Sequence, residues 1–210
     1  MPRVRNRALA VGAWLAAGLA LAGAFNAGAQ QPAAPPLPGA STLLLYKVPA
    51  RLGMSLKVSS PAFAAGGDIP PRNTQFQANA FPGLAWTGAP SGVKSYAVVM
   101  QDADVVGGGA ALVHWILFDV PSAAKGLPAG LTSPPPGSHY GFDYLGPRHA
   151  YAGPKPPPGP KHHYHFQVFA LDAALPAAAG DSLDKLSAAM TSHVVASGET
   201  VGLGGSPATP

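Results

Sequence analysis

The chain has 210 residues, no cysteine, 26 glycines, 25 prolines and a formal net charge of +4. That length fits one ordinary domain with appendages. The missing cysteines exclude a disulfide-stapled scaffold, a Cys-ligated zinc or iron–sulfur site and thiol chemistry. Charged residues are only 10% of the chain, too few for a solvated helical bundle or coiled coil.

The basic charge is unevenly placed. Arg3, Arg5 and Arg7 precede an apolar run from Ala8 to Phe25, and Ala27-Gly28-Ala29 follows it. A basic start, an apolar stretch and a small-x-small site read as a secretory signal peptide over residues 1–29, cleaved after Ala29. Taking its three arginines from the 13 basic residues leaves ten against nine acidic ones, a net charge of +1. No Lys/Arg cluster remains, so nucleic acid is not an expected partner. The expectation is a periplasmic or secreted protein with no stable membrane span once the signal is removed.

The segment after the signal, residues 30–42, carries Pro32, Pro35, Pro36 and Pro38 and no charge, the composition of an extended tether. The foldable domain is expected over 43–203, with a flexible tail over 204–210. Ser55 to Ser60 alternates, as does Tyr96 to Met100. Leu112 to Val120 and Tyr164 to Leu171 are longer and rich in aromatic and β-branched residues. Gly, Pro, Asp and Ser bound each run, which predicts strands. Gly107-Gly108-Gly109 reads as a connector between two of them. Pro134-Pro135-Pro136 and Pro154 to Pro160 read as rigid loops, the kind that wall binding sites. One helix is predicted, over Asp181 to Ser197, where Leu183, Leu186, Met190 and Val194 follow a helical spacing. Asp181 or Ser182 would cap it and Gly198 would stop it. The pattern is a mainly antiparallel β domain with one clear helix near the C-terminus.

Few side chains have chemical capacity. Asp102 and Asp104 end one strand and lie two apart, so a continuing strand would put both on one face. His114 sits beside Trp115 inside an apolar strand. His162 and Tyr164 share a face of another strand, and His163 and His165 share the opposite one. Two histidines and a carboxylate could hold Zn²⁺, which leaves a metal-dependent hydrolase as an alternative. The spacing is not distinctive for a metal, however, and no G-x-S-x-G elbow supplies a serine nucleophile.

The order of short motifs adds a resemblance. Ser60-Pro61-Ala62-Phe63, Ile69-Pro70, Asn79 to Trp86 (NAFPGLAW) and Lys94 to Met100 come first. Asp102-Ala103-Asp104, His114-Trp115, Gly153 to Pro157 (GPKPP), His162-His163-Tyr164 and Ala170-Leu171-Asp172 follow. Over Ser55 to Leu203 this series resembles the phosphatidylethanolamine-binding protein family in its bacterial Raf-kinase-inhibitor-like branch. The resemblance implies an antiparallel β-sandwich with a few peripheral helices. It also implies a small pocket for an anionic group, phosphate or a phospholipid head group, built from Asp102, Asp104, His114, His162 and Tyr164. Pro156 and Pro157 would lie in its loop. Inhibition of proteases or kinases in the family implies a possible protein partner, unidentified here. No cofactor, metal or catalytic step is expected. Imidazoles carrying protons and a phenol would donate to phosphate oxygens, and a neighbouring carboxylate would orient an imidazole. Two departures stand out. The family's Asp-Pro-Asp has Ala103 at its centre here, which loosens that turn, and the arginine of its His-Arg-Tyr is His163, which removes a fixed charge.

Overall fold

Each long apolar run has two faces to bury, and the domain satisfies this by stacking three layers. The computed structural model describes residues 39–107, 110–147 and 150–207. The expected signal peptide, most of the tether, Gly108-Gly109 of the connector and the last three residues of the tail lie outside the described residues. A 3-10 turn at Ala40–Thr42 and a short helix α1 (Leu44–Lys47) open the described chain. The strands β1 (Met54–Ser55), β2 (Lys57–Ser59), β3 (Leu84–Thr87), β4 (Ser95–Gly107) and β5 (Ala110–Pro121) follow. The short strands β6 (Gly126–Leu127), β7 (His139–Tyr140), β8 (Phe142–Asp143) and β9 (Gly146–Pro147) come next. The chain then forms β10 (His162–Leu171), helix α2 (Leu183–Met190) and β11 (Val194–Gly204).

The main sheet runs β1-β11-β10-β4-β5-β7, antiparallel except for the β1–β11 pair. A second antiparallel sheet, β2-β3-β6, covers one face of it. Between the sheets Val58, Leu84 and Trp86 meet Tyr96, Val98, Met100, Trp115, Phe166 and Val168, all buried. On the other face Ala97, Val99, Ile116, Phe118 and Phe169 are covered by Leu44 of α1 and by Leu186 and Met190 of α2. Period-two alternation supplies both cores from one strand, because successive side chains point to opposite faces. The chain is thus mainly β, as its runs predict, with few helices.

The predicted helix is shorter than its period suggested. Ser182 caps it as expected, its Oγ accepting from Lys185 N at 3.1 Å. After Met190, however, Thr191 is extended and Ser192 takes a left-handed φ of 69°. Val194 then enters β11, opposite Leu171. It packs into the same apolar cluster as Leu186 and Met190, so a strand residue continued the helical spacing. Gly198 stops no helix. It lies within β11, where a Cβ would meet Leu56 O at 2.1 Å.

Candidate functional site

The polar set gathers where β4, β5 and β10 lie side by side. Tyr164 pairs with Asp102 in the β10–β4 register, and β4 is irregular immediately beyond that point. Asp102 faces Leu112 of β5, but the next pair is Val106 with Ala111, so Ala103 to Val105 bulge out. Bulges re-aim side chains, and this one separates the two aspartates. Ala103 fills the base of the bulge, fully buried against Leu43 and Ala111. Its carbonyl accepts Gly39 N–H at 2.8 Å, which ties the start of the described chain to the site. The last residues of the expected tether therefore form a turn bonded to the domain.

Asp102 Oδ2 accepts the Nδ1–H of His162 at 2.8 Å, and its Oδ1 accepts Asp104 N–H at 2.9 Å. The side chains are 3% and 15% exposed for Asp102 and His162, so the pair is screened from bulk water. Asp104 turns instead to His163, accepting its backbone N–H at 2.6 Å and its Nδ1–H at 3.0 Å. His162 and His163 leave β10 on opposite faces, so the two aspartates do not share one, contrary to the continuing-strand expectation. Asp104 supports the strand end from the other face of β10. His165, also on the far face, bonds Glu199 through Nδ1 at 2.9 Å.

His114 comes from β5 and is nearly fully buried. Its ring meets Tyr164 edge-on at 5.1 Å and Tyr144 at 4.8 Å, and the His162 and Tyr164 rings stack at 6.4 Å. Nδ1–H donates to Ala152 O at 3.0 Å, because a carbonyl can only accept. Burial holds the His114 pKa below 6.5, against smaller opposing effects of the Ala152 carbonyl and the Asp102 and Asp143 charges. His114 is therefore neutral at pH 7, its proton on Nδ1 held by the Ala152 carbonyl. Burial, with Asp102 adding to it, pushes the Tyr164 phenol well up, so it keeps its proton at any ordinary pH.

The proline-rich loop closes one side. Pro156 is buried and Pro157 is exposed. Gly153 N–H donates to Asn79 Oδ1 at 2.8 Å, and Asn79 Nδ2 donates to Tyr151 O at 2.9 Å. Gln75 Nε2 donates both to Gly153 O and to the Tyr144 hydroxyl, each at 2.6 Å. A Cβ on Gly153 would lie 2.4 Å from Asn73 O, so only glycine lets the loop come this close. Gln75, Asn79, Tyr144 and Tyr151 were not singled out in the sequence. Only Asn79, inside the quoted NAFPGLAW stretch, carried any signal there. Among the described residues no three His, Asp or Glu side chains converge as metal ligands.

The architecture and the site define a class: a β-sandwich with a small polar site of buried histidine, carboxylate and phenol at its strand ends. The sequence model of the phosphatidylethanolamine-binding protein family matches residues 59–204, and the chain belongs to that family. A UPF0098 protein of Methanothermobacter thermautotrophicus is 33% identical over 151 residues, covering 70% of this chain and 97% of its own. The Mycobacterium tuberculosis protein named "Putative lipoprotein LppC" is 35% identical over 164 residues, 78% of this chain and 79% of its own. Among solved structures, YbcL of E. coli, titled a new member of the mammalian PEBP family, superposes with a TM-score of 0.66 at 26% identity. The match covers 72% of this chain and 99% of YbcL. CT736 of Chlamydia trachomatis gives 0.64 at 27% identity, covering 71% and 96%.

Proposed function

We propose that this is an exported binding protein whose pocket takes a phosphoryl head group, and that it works by binding rather than by catalysis. The observation that carries the reading is the meeting of the Asp102–His162 pair with the Tyr164 phenol and the His114 ring at one strand end. The phenol donates a hydrogen bond, and His162, with Nδ1–H committed to Asp102, donates from Nε2–H when the ring carries its second proton. A bare phosphate dianion would meet the Asp102 charge. A zwitterionic ester such as phosphoethanolamine answers both signs, its ammonium toward the carboxylate and its phosphoryl oxygens toward Tyr164 and His162. The matched family's own description names the same head group.

Export rests on the sequence of residues 1–29 and on the relative whose printed name is "Putative lipoprotein LppC". This chain has no cysteine to carry a lipid. Among the described residues no helix is long and apolar enough to cross a membrane. Modulation of a partner protein through the loops around the pocket belongs to the same proposal. The hydrolase alternative gains no observation, since no ligand triad forms among the described residues.

Calorimetry with phosphate, phosphoethanolamine and Zn²⁺ tests the reading. Saturable heat with phosphoethanolamine that disappears in Tyr164→Phe supports it. Tight Zn²⁺ binding lost in His162→Ala, with no response to either phosphoryl compound, refutes it.

A further inference from the structure

Among the described residues three of the large exposed hydrophobic side chains fall within four consecutive positions: Phe142 (42%), Tyr144 (39%) and Leu145 (53%). They form the first strand and the turn of the β8–β9 hairpin. Hairpin turns in water favour Gly, Asn, Asp and Pro for conformational reasons, and Tyr-Leu at a tip meets none of them. Scattered exposed hydrophobics are ordinary on a protein surface, but an apolar group beside a ligand site is not scattered.

One residue of this hairpin, Tyr144, is part of the site wall. Tyr144 lays its ring on His114 at 4.8 Å, and its hydroxyl accepts from Gln75 at 2.6 Å. Its N–H donates to Val113 O at 3.0 Å, and Leu145 N–H donates to Asp143 Oδ1 at 2.8 Å. These bonds fix the shape of the tip against the domain, so contact with a partner costs little ordering entropy.

We propose that the hairpin over residues 142–147 is a membrane-contact element, seating the protein on a phospholipid bilayer while the adjacent pocket takes a head group. This rests on the head-group reading above. Leu145 and Phe142 enter the interfacial region, and Tyr144 spans from lipid to site, as amphipathic aromatic rings do at that depth. The exposed Lys155, in the proline-rich loop, offers a positive charge to the phosphates of neighbouring lipids. A free phosphate ester would fill the same pocket but leave the apolar tip in water. The contiguity of tip and pocket therefore favours a head group still in its bilayer.

The absence of cysteine makes the test clean. Leu145→Cys accepts one environment-sensitive fluorophore, and Ser91→Cys, in the turn before β4 and at the far end of that strand from Asp102, serves as reference. Each labelled protein is mixed with vesicles of phosphatidylcholine and phosphatidylethanolamine. A blue shift at position 145, quenched by lipid-borne quenchers, with no shift at position 91, is expected. Leu145→Asp is expected to keep its phosphoethanolamine binding in solution. A label at 145 that stays in water while the protein sits on vesicles overturns the proposal, as does a protein that never leaves solution. Failure of the unmodified protein to bind phosphoethanolamine counts instead against the head-group reading, because the label reports on the hairpin alone.

Discussion

Asp102 holds His162 and the backbone of Asp104 with its two carboxylate oxygens, at 2.8 and 2.9 Å. One side chain thus sets the tautomer of a ligand-facing imidazole and stabilises the bulge beneath it. Asp102→Ala is expected to weaken phosphoethanolamine binding at least about tenfold and to lower stability by about 1.5–3 kcal/mol, the range for hydrogen bonds to a charged group. Calorimetry and urea denaturation read the two effects separately. Unchanged affinity in a folded variant would remove Asp102 from the site.

The Tyr144 ring lies against buried His114 at 4.8 Å. In Tyr144→Ala water reaches the ring, and the His114 pKa is expected to rise toward its ordinary value of 6.5, since burial is the main cause of its depression. Tyr144→Phe keeps the ring and loses only the Gln75 bond, so it should move His114 little. An NMR titration of the imidazole signals distinguishes the variants. If His114 does not move in Tyr144→Ala, then Tyr164 and the Ala152 loop exclude the water without help.

The depressed pKa also predicts a stability profile. As pH falls below 6.5 the unfolded chain takes up the His114 proton before the folded protein does. The contribution is therefore complete above 6.5 and is lost as pH falls toward the folded-state value. Urea midpoints measured from about pH 7.5 down to about pH 5 should fall, and His114→Gln should flatten that part of the slope. Asp172 acts in a lower window. His193 first, and also Arg51, hold its carboxyl below 3.8, so its contribution is lost only as pH falls past the ordinary carboxylate range.

Gly153 joins loop packing to binding. A Cβ there would stand 2.4 Å from Asn73 O and 2.9 Å from Asn79 Oδ1. Gly153→Ala must displace the loop that positions Ala152 over His114. It should cost about 1–3 kcal/mol of stability, the usual range for overpacking, and also weaken ligand binding. Thermal melts and calorimetry check both; full affinity with lowered stability would separate the loop from the site.

The strands β4, β5 and β10 were legible because each carries a long apolar run with aromatic and β-branched residues bounded by turn formers. β11 was not. Val194 sits where a fourth helical residue would, and the left-handed turn at Ser192 has no strong sequence signal. Asp102, His114, His162 and Tyr164 were found through their order along the chain, and the structure brings them together. The separate path of Asp104 was hidden, because strand parity assumes a regular ladder and the bulge at Ala103 breaks it. Gln75 and Tyr144 were equally hidden: their bond spans 69 residues between two loop segments that have no periodicity to read. The neutral state of His114 depends on burial by Tyr144, Tyr164 and the Ala152 loop, which no local pattern encodes.

The most direct test of the binding account is a calorimetric titration of phosphoethanolamine into the protein and into His162→Ala, with folding of both confirmed by circular dichroism. Saturable one-to-one binding in the first and its loss in the second is the expected result. No heat in the first, or equal affinity in both, contradicts the account.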